Sequence, residues 1–345
     1  MTTATSLPVV GLVLAGGKGT RMKSALPKVL HPIMGSPILW RVLRTLDQIG
    51  VTHKALVLPE DYGPFAELIA ATSGLTVCLQ LEQRGTGDAV AAAAAAFVGV
   101  KSPAYSRGRI VSGPPVAAPH ILISYGDTPA VPAHMLRAFV QDALTNRADL
   151  AVVAMRCPNP AGYGRIVVNS DGTLARIVEE RDASSDIKKI DLCNTGVLFA
   201  RTDLLFDLLG GLTPTNAQRE YYLTDCFQLA ATRGQHARVF VADSHTYFEG
   251  INDRIQLANV ERHLMEIKRH ELMLAGATFI LPETTYIEDG LSVEPDVIVE
   301  PGCVLRGRVT LGRGAHIGAR SVLSNVTIGA GVLIGTGSVL VDREV

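Results

Sequence analysis

Residues 12 to 22 read "LVLAGGKGTRM", three glycines and two cations directly behind an apolar run. Glycines that follow a buried strand let backbone N–H groups close around an anion, so Gly16, Gly17 and Gly19, with Lys18 and Arg21 beside them, make a candidate phosphate loop. Two familiar phosphate loops do not fit. A Walker loop would need Ser or Thr after Lys18, where Gly19 stands, and a glycine at Leu12. A dinucleotide fingerprint starting at Gly17 meets Met22 at its sixth position. A bare glycine turn joining strand to helix stays open at this point. Downstream, "LPKVLH" carries Lys28, and "HILISYGD" ends an apolar run on Asp127, at the carboxyl edge where open α/β sheets bind ligands. Taken alone, these two residues read equally as a surface lysine and a turn aspartate.

The elements that must position such residues follow from hydrophobic patterning. "VVGLVL" (9–14), "KALVL" (54–58), "TVCLQL" (76–81), "HILISYGD" (120–127), "DLAVVAM" (149–155) and "GVLFA" (196–200) read as strands that alternate with helical segments, which predicts an α/β sheet with helices on both faces. In "SPILWRVLRTLDQIG", Ser36 is placed to cap, Pro37 to open the helix and Gly50 to end it. Ala89 to Val100 reads as a buried, alanine-rich helix. Residues 101–119 have no period and four prolines, which predicts a mobile surface insertion and, more sharply, a substrate lid.

Thirty-two basic residues against thirty-three acidic ones leave no net field to favour nucleic acid or an anionic membrane, so any anion site is local. The longest apolar run, twelve residues, is short of the roughly twenty that span a bilayer. The N-terminus lacks a basic region and an apolar core, and the five cysteines are widely spaced without CxxC. These features predict reduced thiols in a cytoplasmic protein.

From Val293 an aliphatic residue recurs every sixth position: Val293, Val299, Leu305, Leu311, Ile317 and Leu323. After one five-residue step the series resumes at Ile328, Ile334 and Leu340. This is the hexapeptide repeat of a parallel β-helix, whose inward aliphatics stack from coil to coil. A charged, helically periodic segment, "NDRIQLANVERHLMEIKRHELMLAG", precedes it as a connecting helix.

Taken together, "LAGGKGTRMKSALPKVLH", "LEQRGTGDAV", "YGDTP", "GYGRIV", "IVEERD", "NTG", "EYYLTD" and "EGINDRIQLANVE" resemble the bacterial N-acetylglucosamine-1-phosphate uridylyltransferases, whose members are usually bifunctional with a C-terminal acetyltransferase β-helix. The resemblance implies a Rossmann-like nucleotidyltransferase domain over 1–250, a connecting helix over 251–278 and a short left-handed β-helix over 279–345. It implies that a sugar-1-phosphate oxygen attacks the α-phosphorus of UTP and that pyrophosphate leaves. Arg21 and Lys28 would be the catalytic cations. Asp127 and Asn252 would hold Mg²⁺, whose shell suits carboxylate and amide oxygens with phosphates and water. Gln80 and Gly85 would read the uracil edge, with Leu14, Ala15, Gly16 and Gly17 along base and ribose. Thr86, Tyr125 and Gly126 would lie near the nucleotide sugar and the acceptor, and Gly164, Glu179 and Asn194 would hold the sugar, with Asn252 beside them. Glu180 reads as solvated. By the same resemblance the protein is a homo-oligomer, a trimer.

Departures from the family pattern are the insertion at 101–119, Gly16 where alanine is usual, and a β-helix of about three coils. That short prism predicts a structural or oligomerisation element rather than an acetyltransferase, and His316 matches no catalytic histidine. Alternatives are the same chemistry on another sugar-1-phosphate or with dTTP, a catalytically silent regulatory or assembly subunit, and a hexapeptide acyltransferase.

Overall fold

The computed structural model describes residues 7–345 apart from 18 and 171; Lys18 and the N-terminal segment read above lie outside the described residues. The chain forms two compact units, one holding the chain up to Leu30 and Ile38–Gly250, the other His31–Pro37 and Ile251–Val345.

The first unit is built on a mixed sheet. Four of its strands run parallel side by side, in the order Leu75–Gln80, Lys54–Pro59, Val9–Leu14, His120–Tyr125. Each is buried on both faces, which is why their sequences are continuous apolar runs instead of alternating ones. The chain turns outward from Val9–Leu14 in both directions, so the strand order reverses between Val9–Leu14 and His120–Tyr125, and the crevice beyond their carboxyl ends is the place where such sheets accept ligands. Beyond His120–Tyr125 the sheet continues antiparallel through Leu192–Arg201, which also pairs with Leu150–Arg156. Helix Ile38–Gln48 buries Ile38, Leu39, Val42, Leu43 and Leu46 against this sheet, the face expected from its periodicity. All five cysteines are buried free thiols.

Three local expectations are corrected. Ser36 and Pro37 do not cap or open the helix; they form a two-residue strand that pairs antiparallel with Pro32–Ile33 around Met34 (φ +48°) and Gly35 (φ +82°). Positive φ at both central residues marks the type of turn that suits a tight hairpin, and this hairpin belongs to the second unit, so the stretch 1–250 is not one uninterrupted body. The alanine-rich helix runs from Thr86 to Ala92, starts within "GTGDAV", and gives way to a single 3-10 turn at Ala94–Ala96 before Phe97 goes extended. Residues 101–119 contribute a strand, Arg109–Ser112, antiparallel to Leu75–Gln80 at the sheet edge.

In the second unit, helix Arg254–Leu274 is capped by Asp253, whose Oδ1 accepts from Gln256 N at 2.8 Å. The hexads then coil as parallel strands: Ile298 pairs with His316 and Val299 with Ile317, while Leu305 pairs with Leu323 and Leu323 with Leu340. Val299, Leu305, Leu311, Ile317, Leu323 and Ile328 are buried as one interior ladder. Among the described residues no helix is long and apolar enough to cross a membrane.

Candidate active site

At the carboxyl ends of the parallel strands a cavity of about 280 Å³ opens. Leu14, Ala15, Gly16 and Gly17 line one wall where Val9–Leu14 ends, and Gln80, Gly85 and Thr86 line another where Leu75–Gln80 passes into helix Thr86–Ala92. Tyr125 and Asp127 reach it from the next strand, and Lys28 completes it. Ten residues singled out in the sequence thus converge on one crevice.

Glycine is required at one point of this wall and at another in the loop that follows Val9–Leu14. Gly85 has φ +106°, and a Cβ there would lie 2.6 Å from the Tyr221 carbonyl oxygen. Gly19 has φ +57°, and its Cβ would fall 2.6 Å from Lys28 Cβ, so the loop can close over that lysine only without a side chain. Gly17 has open space around it, leaving its backbone accessible. Segment 220–225 folds back along the 84–87 turn: Tyr221 N donates to Arg84 O at 2.8 Å, Gly87 N to Tyr221 O at 2.7 Å, and Leu223 N to Thr86 Oγ1 at 3.1 Å.

Lys28 Nζ lies 2.5 Å from Asp127 Oδ2, with both side chains mostly buried. Gly126, next to Asp127 in the chain, donates its N–H to Leu14 O at 2.9 Å. Burial, followed by the Glu179 and Asp127 carboxylates, raises the pKa of Tyr125 against the opposing effect of Thr86, so it is a phenol and not a phenolate at any physiological pH. That ring fits because Gly196 (φ +82°) faces it; a Cβ at 196 would overlap Tyr125.

Glu179 lines a second, more polar cavity of about 490 Å³ with Asp182, Tyr222 and Asp225. It accepts a hydrogen bond from Thr224 Oγ1 at 2.9 Å. Burial raises its pKa, the Thr224 bond opposes this, and Asp225, Asp182 and Glu220 add to the rise. Gly164 and Asn194 stand against it: Asn194 N donates to Gly164 O at 2.8 Å, and a Cβ on Gly164 would come within 3.4 Å of Glu179 Oε2.

Arg21 is exposed on the 3-10 turn Thr20–Met22 and does not line the cavity. Asn252 belongs to the second unit, where its N–H donates to the Gln256 side chain at 2.8 Å just ahead of the long helix. Glu180 is not simply solvated, since it pairs at 2.8 Å with the guanidinium of Arg165, which is almost wholly buried. Sequence reasoning missed Gln83, whose Nε2 donates to Gly16 O, and Glu220 on the cavity wall. Both stood inside quoted motifs, but nothing in their spacing marked a role.

Residues 11–188 match the model of the MobA-like NTP transferase domain. Over 334 residues, 97% of this chain and 69% of the relative, the chain is 36% identical to the "Bifunctional protein GlmU" of Trichlorobacter lovleyi. Identity to the protein of the same name from Pelobacter propionicus is 35% over 98% of this chain and 70% of the relative, and to that from Geobacter metallireducens 36% over 91% and 63%. With the match to the domain, the sheet that carries it and the crevice at its switch point, the chain belongs to the MobA-like NTP transferase family and is a sugar-1-phosphate nucleotidyltransferase related to the GlmU proteins.

Proposed function

We propose that the protein transfers the uridylyl group of UTP to N-acetylglucosamine-1-phosphate, giving UDP-N-acetylglucosamine and pyrophosphate, in the cytoplasm and with Mg²⁺. The observation that carries this reading is the crevice in which the glycine loop, Gln80, Gly85 and the Lys28–Asp127 pair face one space, with Glu179, Gly164 and Asn194 grouped separately. One group suits a nucleotide and the other a sugar.

The attacking oxygen of a sugar-1-phosphate is already anionic, so the reaction needs no strong general base. It needs two mutually repelling phosphates brought into line and the charge on the pentacoordinate phosphorus neutralised. Lys28 supplies a point charge at the crevice, and the open backbone at Gly17 lets N–H groups approach phosphate oxygens. Arg21 is assigned to the same phosphates from the exposed turn of the loop. Tyr125 keeps its proton and can donate it as a hydrogen bond between the two substrates. Glu179 and Asn194 accept and donate to sugar hydroxyls and the N-acetyl group.

Among the described residues no group of three or more His, Cys, Asp or Glu side chains forms a protein-only metal cage. A single carboxylate, Asp127, with phosphates and water suits Mg²⁺, which is reluctant to dehydrate. When bound, the ion screens charge between the phosphates. Pyrophosphate release across a panel of nucleoside triphosphates and sugar-1-phosphates, with and without EDTA, tests the reading. UTP with N-acetylglucosamine-1-phosphate should be the preferred pair, and preference for any other pair would displace it.

A further inference from the structure

We propose that Asp88 is a positioning residue that sets which base the nucleotide site accepts, by holding the Gln80 amide with its oxygen toward the cavity; this rests on the uridylyl reading. Gln80 is buried at the end of its strand, and its Nε2 donates to Asp88 Oδ2 at 2.9 Å and to Gly85 O at 3.3 Å. Asp88 is only 2% exposed, and its carboxylate can accept but not donate. Turning the Gln80 amide over would set its oxygen against two acceptors, so one orientation is locked.

The locked orientation points Oε1 at the glycine loop: a Cβ added to Gly16 would lie 3.0 Å from it, and Gly16 and Gln80 both line the cavity. The site therefore offers the base an acceptor. Uracil and thymine present a ring N3–H to such an acceptor, whereas cytosine presents a lone pair at N3, and two facing acceptors repel. Asp88 thus admits UTP and dTTP and rejects CTP without touching the base.

A buried carboxylate needs compensation, and Arg84 provides it. Its guanidinium lies 3.4 Å from Asp88 Oδ1 and 3.1 Å from Glu82, donates to the Tyr105 carbonyl, and sits over the Tyr221 ring at 5.6 Å. Tyr221 in turn stacks on Tyr105 at 3.8 Å. Segment 101–119 thereby serves base recognition through Arg84 and Asp88.

The test is Asp88→Asn in the full-length protein, assayed for pyrophosphate release from UTP and from CTP with the same sugar-1-phosphate. Asparagine keeps the volume but can turn either its oxygen or its NH₂ to Gln80, freeing the amide. The ratio of kcat/KM for UTP to that for CTP should fall at least about tenfold. Because Asp88 acts through Gln80, adding Asp88→Asn to Gln80→Ala should leave that ratio where Gln80→Ala alone puts it. An unchanged ratio in folded Asp88→Asn, or a further fall in the double variant, overturns the inference. If Asp88→Asn alone does not fold, Arg84→Met with Asp88→Asn removes both charges and carries the same test. A parent enzyme that uses CTP as well as UTP overturns the inference and leaves uridylyl transfer standing; one inactive with UTP overturns both.

Discussion

Lys28 and Asp127 hold opposite charges 2.5 Å apart at the wall of the crevice, each mostly shielded from water. In this low-dielectric setting a fixed ammonium acts strongly on charge that develops on a transferring phosphoryl group. Lys28→Ala should lower turnover about 10²–10³-fold, with a smaller change in KM for UTP. Steady-state kinetics check this, and near-parental turnover would remove Lys28 from the phosphate site. Glu179 makes a different prediction. Its pKa in the folded protein is raised chiefly by burial, so between the unfolded value and the raised one the native state binds more protons than the unfolded state. The resulting penalty is present above both values and fades as pH falls through the folded pKa to below the unfolded one. Glu179→Gln should therefore raise Tm at pH 7–8 and lose that advantage near pH 4, while raising KM for the sugar-1-phosphate several-fold and leaving KM for UTP nearly unchanged. Melting curves at the two pH values and paired KM measurements decide it. At this scale the sequence was legible where a residue sat in an ordered motif, as Lys28, Gln80 and Asp127 did. It was silent where the role is set by a partner elsewhere along the chain: Arg165 and Glu180 are fifteen positions apart, and the antiparallel pairing of Arg165–Val168 with Leu174–Val178 brings Glu180, in the turn just past the second strand, to Arg165.

Elements were legible to the extent that their periodicity was continuous. The four parallel strands are apolar on both faces and needed no further signal. The hexad ladder was equally plain, but its second interior row was not. Val297, Cys303, Val309, Ala315 and Ser321, each two residues before a ladder aliphatic, are fully buried, yet they share no chemistry that a pattern could detect; only their small or β-branched shape is common. The five-residue step also has a physical cause. Strand Val322–Ile328 pairs with Val304–Arg306 at one end and Val309–Leu311 at the other, turning the corner at Asn325 with φ +53°. Asparagine tolerates this conformation, and its side chain is used: Oδ1 accepts from Arg308 N at 3.1 Å and Nδ2 donates to Asp342 at 2.9 Å. Asn325→Ala should cost about 1–2 kcal/mol, combining left-handed strain with the lost bonds. Asn325→Gly, free of the strain, should cost less, and chemical denaturation of the two variants orders them.

Taken whole, the molecule departs most from its sequence reading at residues 31–37. A seven-residue stretch between a 3-10 turn and a long amphipathic helix looked like a helix entry, because a Ser-Pro pair is a good start signal and Met-Gly is a poor hairpin signal. What decides its fold is distant in the chain. Met34 N donates to Glu261 Oε1 at 2.8 Å, Asp289 N donates to Met34 O at 3.2 Å, and a Cβ on Gly35 would overlap the Glu288 carboxylate. Ile33 and Met34 are 0% and 1% exposed, so the second unit takes part of its core from the N-terminal region of the chain. Met34→Ala should therefore destabilise this unit by about 2–5 kcal/mol, the range for truncating a buried methionine. A chain cut after Gly250 should fare worse. It would leave Ile33 and Met34 bare, with each buried aliphatic side chain having contributed about 1.5–3 kcal/mol. Dye binding to exposed apolar surface and a lowered melting transition are the expected readouts for the shortened chain. If it melts as the full chain does and binds no dye, the hairpin is not part of the second unit's core, and the 1–250 stretch stands as a body of its own.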